Sequence, residues 1–459
     1  MWNTMTSKIS MKVVLPLLVV LVVIVSIMQF GPPKFILQTN RFEELPVTRT
    51  PTLILVDSTA IAMVDILSNQ KSNNESDEIR NTTECQAQNK AVFIKTHKTA
   101  SSTATSIFER YGYSHNLTFA LPWVSHIFNA IEVFDRDMVM TFADMTKFDM
   151  LTNHARFNRA EMEAVVPSAK FVTIVREPAG QFESAFGYFR MAKSLGISKK
   201  SNPMEFFLEN PKKYFSKSFD MKVQSWNGQI FDLGLDHSDC NDTSKVKEYI
   251  GKLDKELDLV MLTEYFDESL LLLRQLMCWS YDQIVYLPKT IRNQKYRYKV
   301  SRQIAEKIRA WNAADVQLYR HFNATFWRKV DEYGIDFESD IKKFRQLQQN
   351  MVRVCFDTNK KGSLDYRTTT FVRKKNAPNI CNDLLRIDTE FVSLIRWRQV
   401  ENEFGLPKLL AGGIILLIVV LTVIIVLVRR LVRTFCSSGN SESQLNCKYT
   451  KLDQNSEVS

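Results

Sequence analysis

The chain has 459 residues, enough for one large or two ordinary domains. Hydrophobic residues make up 45% of it and charged residues 24%, a balance that excludes general disorder. The net charge of +10 divides into +2 for residues 1–30, +2 for residues 429–459 and +6 for the rest. This mild basic excess suits an anionic ligand and ordinary solvated surface equally well.

Two apolar segments without charged residues stand apart from this average. The first, Val13–Met28, follows two lysines and lacks a clear small-residue cleavage site at its end. We therefore predict a retained signal anchor rather than a cleaved signal peptide. The second, Leu409–Val428, has 20 residues, enough to cross a hydrocarbon core about 30 Å thick as a helix. Arginines follow it directly, so the positive-inside preference places both tails in the cytosol.

The central part of the chain would then face a lumen. The glycosylation pattern Asn-x-Ser/Thr occurs only there, at Asn74, Asn81, Asn116, Asn241 and Asn323. Five of the seven cysteines also lie there, where disulfides persist, and their pairing stays open. Nucleic acid is not an expected partner in this compartment. We predict these segments: cytosolic tail 1–12, signal anchor 13–30, lumenal stem 31–88, globular domain 89–395, second transmembrane helix 409–428 and cytosolic tail 429–459.

The globular domain alternates short apolar runs with helix-period segments, as parallel α/β units do. Three runs are predicted strands: "AVFI" from Ala91, "KFVTIV" from Lys170 and "LDLVML" from Leu257. Helices are predicted after each, the first from about Ser101 and the second with Pro178 in its first turn. The sequence therefore predicts a parallel sheet flanked by helices, with ligands bound in the loops after its strands.

The loop after the first strand reads "KTHKTASST", residues 95–103. A loop between a strand and a helix attracts anions through exposed N–H groups and the helix dipole, and a lysine adds a point charge. The glycines of a nucleotide triphosphate loop, GxxxxGK[ST], are absent, and no acidic residue is evident to hold Mg²⁺. We therefore expect an anionic donor that needs no metal.

The order of residues from Lys98 to Thr103 resembles the 5′-phosphosulfate loop of sulfotransferases. These enzymes hold the donor's 3′-phosphate with an arginine at a strand end and a serine eight residues later, and Arg176 and Ser184 have that spacing. An arginine grips a phosphate through two hydrogen bonds, and a serine in the second helical turn faces the same pocket.

The resemblance narrows to the galactose 3-O-sulfotransferases. The segments "FIKTHKTASST", "HNLTFALP", "NHARFN", "REPAGQFESAFGYF", "FDLGLD", "LDLVMLTEYFDESLLLLRQLMCW" and "RAWNAADVQLYRHFNATFWRKV" look like that family and follow its order. Ala100 stands where the family usually has glycine. The resemblance implies a P-loop-like sulfotransferase fold in a Golgi membrane, with the catalytic domain in the lumen.

The implied reaction moves a sulfuryl group from 3′-phosphoadenosine 5′-phosphosulfate (PAPS) to the 3-hydroxyl of a terminal galactose. The acceptor is a glycolipid or glycoprotein glycan, and a homodimer is left open. Lys98 would neutralise the leaving phosphate oxygen. Lys95 either neutralises the phosphosulfate or only caps its strand. Donors to the 5′-phosphate would come from Thr99, Ala100, Ser101, Ser102 and Thr103.

The general base is the least certain role to assign from sequence. Histidine suits it because the imidazole pKa, about 6.5, is close to lumenal pH. His97 is our first choice, since it lies in the loop where the acceptor must arrive and the similar family has a histidine there. His154 and a carboxylate such as Glu183 remain alternatives.

Two other functions keep part of this pattern. A glycosaminoglycan sulfotransferase would keep both phosphate loops but not the later colinear segments. A catalytically inactive, membrane-anchored glycan-binding protein would keep the fold, but it would have no use for Lys98, Arg176 and Ser184 together.

The topology gives a direct test. Protease added to sealed Golgi vesicles should remove only the two tails, because the membrane protects the lumenal part. Immunoblots with antibodies to the tails and to the globular domain would follow the cleavage. Protection of residues 429–459 would contradict the predicted second span.

Overall fold

The computed structural model describes residues 85–141, 145–215, 224–289, 291–365, 368–405 and 417–430. The chain divides into two compact units, residues 34–395 and residues 1–33 with 396–459. The larger unit holds both β-sheets and every predicted site residue. The predicted signal anchor and the sequons at Asn74 and Asn81 lie outside the described residues.

A four-stranded parallel sheet forms the centre of the larger unit, in the order β2-β1-β3-β4. All three predicted strands belong to it, so the predicted α/β class with a parallel sheet is confirmed. The third begins two residues later than predicted because Leu257 caps the preceding helix. The two-residue strand β2 was not predicted. The strands are β1 Ala91–Ile94, β2 Met150–Leu151, β3 Lys170–Val175 and β4 Leu259–Leu262.

Helices fill most of the remaining chain and flank this sheet. The first half contains α1 Ser101–Ser114, α2 Arg159–Val165, α3 Pro178–Tyr188, α4 Met191–Ser194, α5 Pro203–Glu209, α6 Pro211–Phe215, α7 Gly228–Asp232 and α8 Thr243–Glu256. The second half contains α9 Phe266–Met277, α10 Tyr281–Ile284, α11 Arg302–Trp311, α12 Ala313–Tyr333, α13 Phe337–Cys355, α14 Ile380–Leu385 and α15 Asp388–Phe404. Short 3-10 turns lie at Arg136–Met138, His237–Asp239, Thr263–Tyr265 and Gln294–Tyr296.

A second, antiparallel sheet of three strands was not predicted. Its order is β5-β7-β6, with β5 at Ile291–Arg292, β6 at Phe356–Asp365 and β7 at Thr368–Arg373. Its strands are polar and alternate weakly, and this explains why the sequence pattern missed them.

The hydrophobic core is built from the apolar segments of the sequence. Every residue of β1 and β4 is buried, as expected for strands covered on both faces. Helix α3 starts with Pro178 at its first position, and the Glu177 side chain accepts hydrogen bonds from the next free N–H groups. Its Phe182 and Phe186 are buried in a separate apolar cluster with α5 and α11.

The larger unit contains two disulfides, Cys85–Cys278 and Cys355–Cys381. Cys240 is a buried free thiol. The sequons within the described residues are accessible to different degrees. Asn116 and Asn241 are exposed, and Asn323 is half-buried on α12.

The predicted second span is described only from residue 417, where a helix runs to residue 430. Among the parts of the chain that the structure describes, no helix is both long and apolar enough to cross a membrane.

Two glycines provide a matched test of this architecture. Gly234 has φ +103°, and an added Cβ would lie 2.5 Å from Tyr249 Oη and 2.6 Å from the Phe157 carbonyl oxygen. Gly234→Ala should therefore destabilise the protein by about 2 to 5 kcal/mol, from backbone strain and overpacking. Gly251, inside α8, has nothing within 4 Å of an added Cβ. Gly251→Ala should stabilise it by about 0.5 to 1 kcal/mol. Thermal unfolding of the full-length protein measures both, and equal melting temperatures would contradict the fold around Gly234.

Candidate active site

The loop between β1 and α1 has an unusual backbone. Lys98 and Ala100 both adopt the left-handed conformation, with φ of 64° and 61°. Ala100 is the N-cap of α1 and provides no side-chain hydrogen bond to the helix. The N–H of Thr103 donates to the Ala100 carbonyl at 2.9 Å, which leaves the N–H groups of Ser101 and Ser102 for another acceptor, as in anion-binding helix N-termini.

Hydroxyl groups within the loop mostly bind the loop itself. Thr99 Oγ1 lies 2.8 Å from Thr96 Oγ1, and Ser101 Oγ donates to the Thr96 carbonyl at 2.5 Å. Thr103 Oγ1 accepts the Lys289 N–H at 3.0 Å. Of the predicted hydroxyl donors, Ser102 is half-exposed and lines a cavity. The structure thus brings the predicted residues together, but it uses the Thr99 and Ser101 hydroxyls to hold the loop's shape.

Lys98 lies between two cavities and lines both of them. Its ammonium group stands 3.7 Å from the centre of the Tyr188 ring, a cation–π contact. The Tyr188 ring also lines both cavities. Lys98 and Tyr188 therefore mark the place where the two cavities adjoin.

The larger cavity, of about 570 Å³, is strongly cationic. Ser184 lines it together with three tyrosines from the segments around it. Its basic lining residues are Lys98, Arg190, Lys193, Arg292, Lys295 and Arg297. A cavity of this size and charge fits an anion with several negative groups.

The smaller cavity, of about 160 Å³, is lined by His97, His154 and the start of α1. His97 is held by Asp232 in α7, a contact across 135 residues. The Asp232 carboxylate accepts the His97 backbone N–H at 2.7 Å and lies 2.9 Å from His97 Nδ1. Because a carboxylate only accepts, Nδ1 carries the proton, and in the neutral ring Nε2 is the nitrogen with the lone pair. His97 thus has the arrangement of an oriented general base.

His154 stacks on His97, with 4.2 Å between ring centres and 14° between planes. Its Nδ1–H donates to the Lys95 carbonyl at 3.0 Å. Burial, with the nearby charges of His97 and Lys95, lowers the pKa of His154 well below its ordinary value. A lowered pKa favours the neutral form of His154, whose ring supports that of His97; among the described residues, no carboxylate is recorded in a hydrogen bond with it.

Glu183, the carboxylate considered as an alternative general base, binds other residues. Its side chain forms an ion pair with Arg292 and accepts the Tyr298 N–H at 2.8 Å. It joins α3 to the segment that borders the larger cavity. The neighbouring Ser184 does line that cavity, as expected for a donor-binding residue.

Arg176 is positioned at the end of β3 by Gln229 of α7, whose side chain bonds both its N–H (2.7 Å) and its carbonyl (2.9 Å). The guanidinium donates to the Lys98 carbonyl at 3.2 Å. Burial lowers the pKa of Arg176 from its usual value, although the group stays charged. Arg176 thus joins the two predicted phosphate loops, but it is not among the residues that line either cavity.

Lys95 lines neither of the two cavities and pairs with Asp388 at 2.5 Å. Asp388 and Asp232 are the two acidic residues that sequence reasoning missed. Asp232 lies in the segment "FDLGLD", whose resemblance was noted without a role for it. In the described part of the chain, no group of three His, Cys, Asp or Glu side chains is arranged to hold a metal ion.

Comparison with known proteins identifies the family of this chain. The sequence model of the galactose-3-O-sulfotransferase family matches residues 7–376. The galactosylceramide sulfotransferase of Mus musculus is 38% identical over 277 residues, which cover 60% of this chain and 65% of that protein. The Homo sapiens galactosylceramide sulfotransferase is 36% identical, covering 60% and 66%. Galactose-3-O-sulfotransferase 3 of Mus musculus is 37% identical, covering 58% and 62%.

The matched region thus spans just under two thirds of the length of these relatives. The family match over residues 7–376 includes both histidines, Arg176, Asp232 and the loop between β1 and α1, which we call the donor loop after its predicted ligand. Because the family model covers most of the chain, this protein belongs to the galactose-3-O-sulfotransferase family.

Proposed function

We propose that the protein transfers a sulfuryl group from PAPS to the 3-hydroxyl of a terminal galactose on a glycolipid or glycoprotein glycan. The observation that carries this proposal is the His97–Asp232 pair, 2.9 Å apart, beside Lys98 and the uncapped N-terminus of α1. This arrangement supplies a base, a cation and an anion-binding helix end within one loop.

The larger cavity is the proposed site of the donor nucleotide. Its six basic side chains suit a nucleotide with a 3′-phosphate and a 5′-phosphosulfate, and its tyrosines offer faces for the adenine. Ser184 lies in its wall, consistent with the proposed 3′-phosphate contact. The smaller cavity, lined by His97 and by residues 100–103 at the start of α1, receives the phosphosulfate end of the donor and the acceptor hydroxyl.

In the proposed reaction, His97 Nε2 takes the proton of the galactose 3-hydroxyl while the oxygen attacks sulfur. A new O–S bond forms as the bond between sulfur and the 5′-phosphate oxygen breaks. The leaving group is 3′-phosphoadenosine 5′-phosphate. Asp232 keeps Nδ1 protonated and stabilises the imidazolium that forms, as the carboxylate of a catalytic triad does.

Lys98 and the first N–H groups of α1 stabilise the charge that develops on the leaving phosphate oxygen. Their geometry is fixed before the reaction, so they need little reorganisation at the transition state. The cation–π contact with Tyr188 holds the Lys98 ammonium at the boundary between the cavities. Base and leaving-group stabiliser are neighbours in sequence but project from the loop in different directions.

The acceptor class rests on the relatives, which are named for galactosylceramide and for galactose. We infer a Golgi membrane protein with its catalytic domain in the lumen, from the two apolar segments and the sequon placement. The glycosaminoglycan alternative has no separate observation in its favour. An inactive glycan-binding protein would not need the His97–Asp232 pair.

The proposal is tested by incubating the full-length protein with labelled PAPS and a panel of acceptors. The panel contains galactosylceramide, lactosylceramide, a glycoprotein with terminal galactose and a glycosaminoglycan chain. Transfer to the galactosides would support the proposal if the product galactose resists periodate. A sulfate on the 3-hydroxyl removes the vicinal diols that periodate cleaves. Transfer to the glycosaminoglycan alone, or donor binding without transfer to any acceptor, would overturn it.

The proposed base makes a sharp prediction about pH. His97→Ala should keep donor binding and lower kcat by about 10² to 10⁴, the usual value of a general base. Wild-type activity should fall on acidification, because a protonated imidazole cannot accept a proton, and this acid limb should vanish from the residual activity of the variant. Asp232→Asn should lower kcat by about a hundredfold or more through loss of the tautomer.

Steady-state pH profiles measure these effects, and Asp239→Asn, at a surface ion pair with Lys245, is the control. An acid limb that persists in His97→Ala and disappears in His154→Ala would identify His154 as the base. A limb that persists in both variants would mean that the base is not a histidine.

Ser184 and Arg176, the two residues assigned to the 3′-phosphate, should affect the donor KM and kcat differently when they are replaced. Ser184→Ala should raise only the donor KM, because the serine contacts a phosphate remote from the transferred group. Losing a hydrogen bond to a charged group costs about 1.5 to 3 kcal/mol, or roughly 10- to 150-fold in affinity. Arg176→Ala should raise the donor KM and also lower kcat, since it supports the Lys98 carbonyl. An unchanged donor KM in both variants would exclude this loop from the donor site.

A further inference from the structure

Lys95 and Asp388 form a buried ion pair at the end of β1, where the donor loop begins. The Lys95 ammonium lies 2.5 Å from Asp388 Oδ2, across 293 residues of sequence. The Lys95 side chain is 2% exposed and that of Asp388 18% exposed. A lysine this deeply buried needs a charged partner, since an unpaired buried cation is strongly destabilising.

Asp388 is the anion that balances Lys95. The other acidic side chain nearby, Glu109, is fully buried, and neither of its carboxyl oxygens has a hydrogen-bond partner among the described residues. Burial and the charge of Asp388 raise the pKa of Glu109 well above its ordinary value, which disfavours a second carboxylate beside Lys95. Burial also favours neutral Asp388, but the Lys95 ammonium outweighs it and lowers the Asp388 pKa.

Lys95 in turn fixes the surroundings of His97. Its carbonyl accepts the Nδ1–H of His154, whose ring stacks on His97. The next residue, Thr96, binds the β3 backbone through its hydroxyl and accepts the Ser101 hydroxyl with its carbonyl. A displacement of residue 95 would therefore move both the base and the start of α1.

The segment that carries Asp388 also reaches the other end of the loop. The Leu384 carbonyl accepts a hydrogen bond from the Lys289 ammonium, and the Lys289 N–H binds Thr103 Oγ1 at 3.0 Å. Leu384 lies in α14, which the Cys355–Cys381 disulfide joins to the end of α13. The segment around residues 380–388 thus contacts the start of the loop directly, through Lys95. It contacts the first turn of α1 indirectly, through Lys289 and Thr103.

We propose that Asp388 is a positioning residue for the transfer reaction: its ion pair with Lys95 lets the segment around residues 380–388 hold the donor loop in its working shape. This assigns Lys95 to Asp388 rather than to the donor, because the Lys95 ammonium is already paired and its side chain is only 2% exposed. The segment lies beyond residue 376, where the family match ends. This inference rests on the proposed function only where kcat is measured. The hydrogen-exchange measurement does not depend on it.

The test uses the full-length protein and four variants. Asp388→Asn leaves Lys95 buried without its partner, and Asp388→Glu restores the charge. Lys95→Met with Asp388→Leu removes both charges together. Asp383→Asn is the matched control, because Asp383 lies in the same segment but pairs with Arg386 at the surface.

We expect Asp388→Asn to lower kcat by about 10- to 100-fold, since small misplacements of reacting groups have effects of this size. Its affinity for 3′-phosphoadenosine 5′-phosphate, measured by calorimetry, should change less than about threefold, a split that general unfolding would not give. Asp388→Glu should recover most of kcat. The double variant should recover part of it, because removing both charges leaves no unpaired ion.

Hydrogen exchange of residues 95–103, followed by mass spectrometry, tests the same idea without catalysis. Exchange should rise in Asp388→Asn and stay at the wild-type level in Asp383→Asn. Unchanged exchange and kcat in Asp388→Asn would overturn the proposal, as would a loss of nucleotide affinity in the double variant, which would assign the Lys95 charge to the donor. If wild-type protein transfers sulfuryl groups to no galactoside, the proposed function fails while the exchange result still decides this inference.

Discussion

The parallel pairing of β1 with β3 is the constraint on which the site depends. The strands are in register from Ala91 opposite Lys170 to Ile94 opposite Thr173, so the chain leaves both at the same edge of the sheet. The loops that follow carry Lys98 and Arg176, and the guanidinium of Arg176 donates to the Lys98 carbonyl. Residues 78 positions apart in sequence are thus in contact at the proposed donor site because two short apolar strands are neighbours.

Helix α7 adds the second support, although it has only five residues. The buried Asp315 of α12 accepts the N–H groups of Gln229 and Ile230 at 3.2 and 2.8 Å. Burial raises the pKa of Asp315 to about 7, and these hydrogen bonds oppose the rise. From this anchored helix, Gln229 binds the Arg176 backbone and Asp232 binds His97. One short helix therefore sets the positions of Arg176 and of the proposed base.

The sequence predicted what local patterns control. Strands β1 and β3 have the predicted bounds, α1 begins at Ser101, and His97, Lys98 and Ser184 all line cavities at the predicted sheet edge. It could not predict the contacts of Asp232 or Asp388, because nothing local marks an acidic residue that folding brings to a loop 135 or 293 residues away. The antiparallel sheet was missed for a different reason, its polar and irregular strands.

The donor loop also shows why such distant contacts are needed. Non-glycine residues in the left-handed conformation cost about 1 to 2 kcal/mol each, and here Lys98 and Ala100 both adopt it. Glycine, the usual residue of the family at position 100, would relieve part of this strain. A backbone held against its own preference persists only where its surroundings determine it. In this chain those surroundings are the Arg176 guanidinium on the Lys98 carbonyl, the Asp232 carboxylate on His97 and the Asp388 carboxylate on Lys95. Because each contact comes from a different element, the loop can keep a strained shape that presents base, cation and helix N-terminus together.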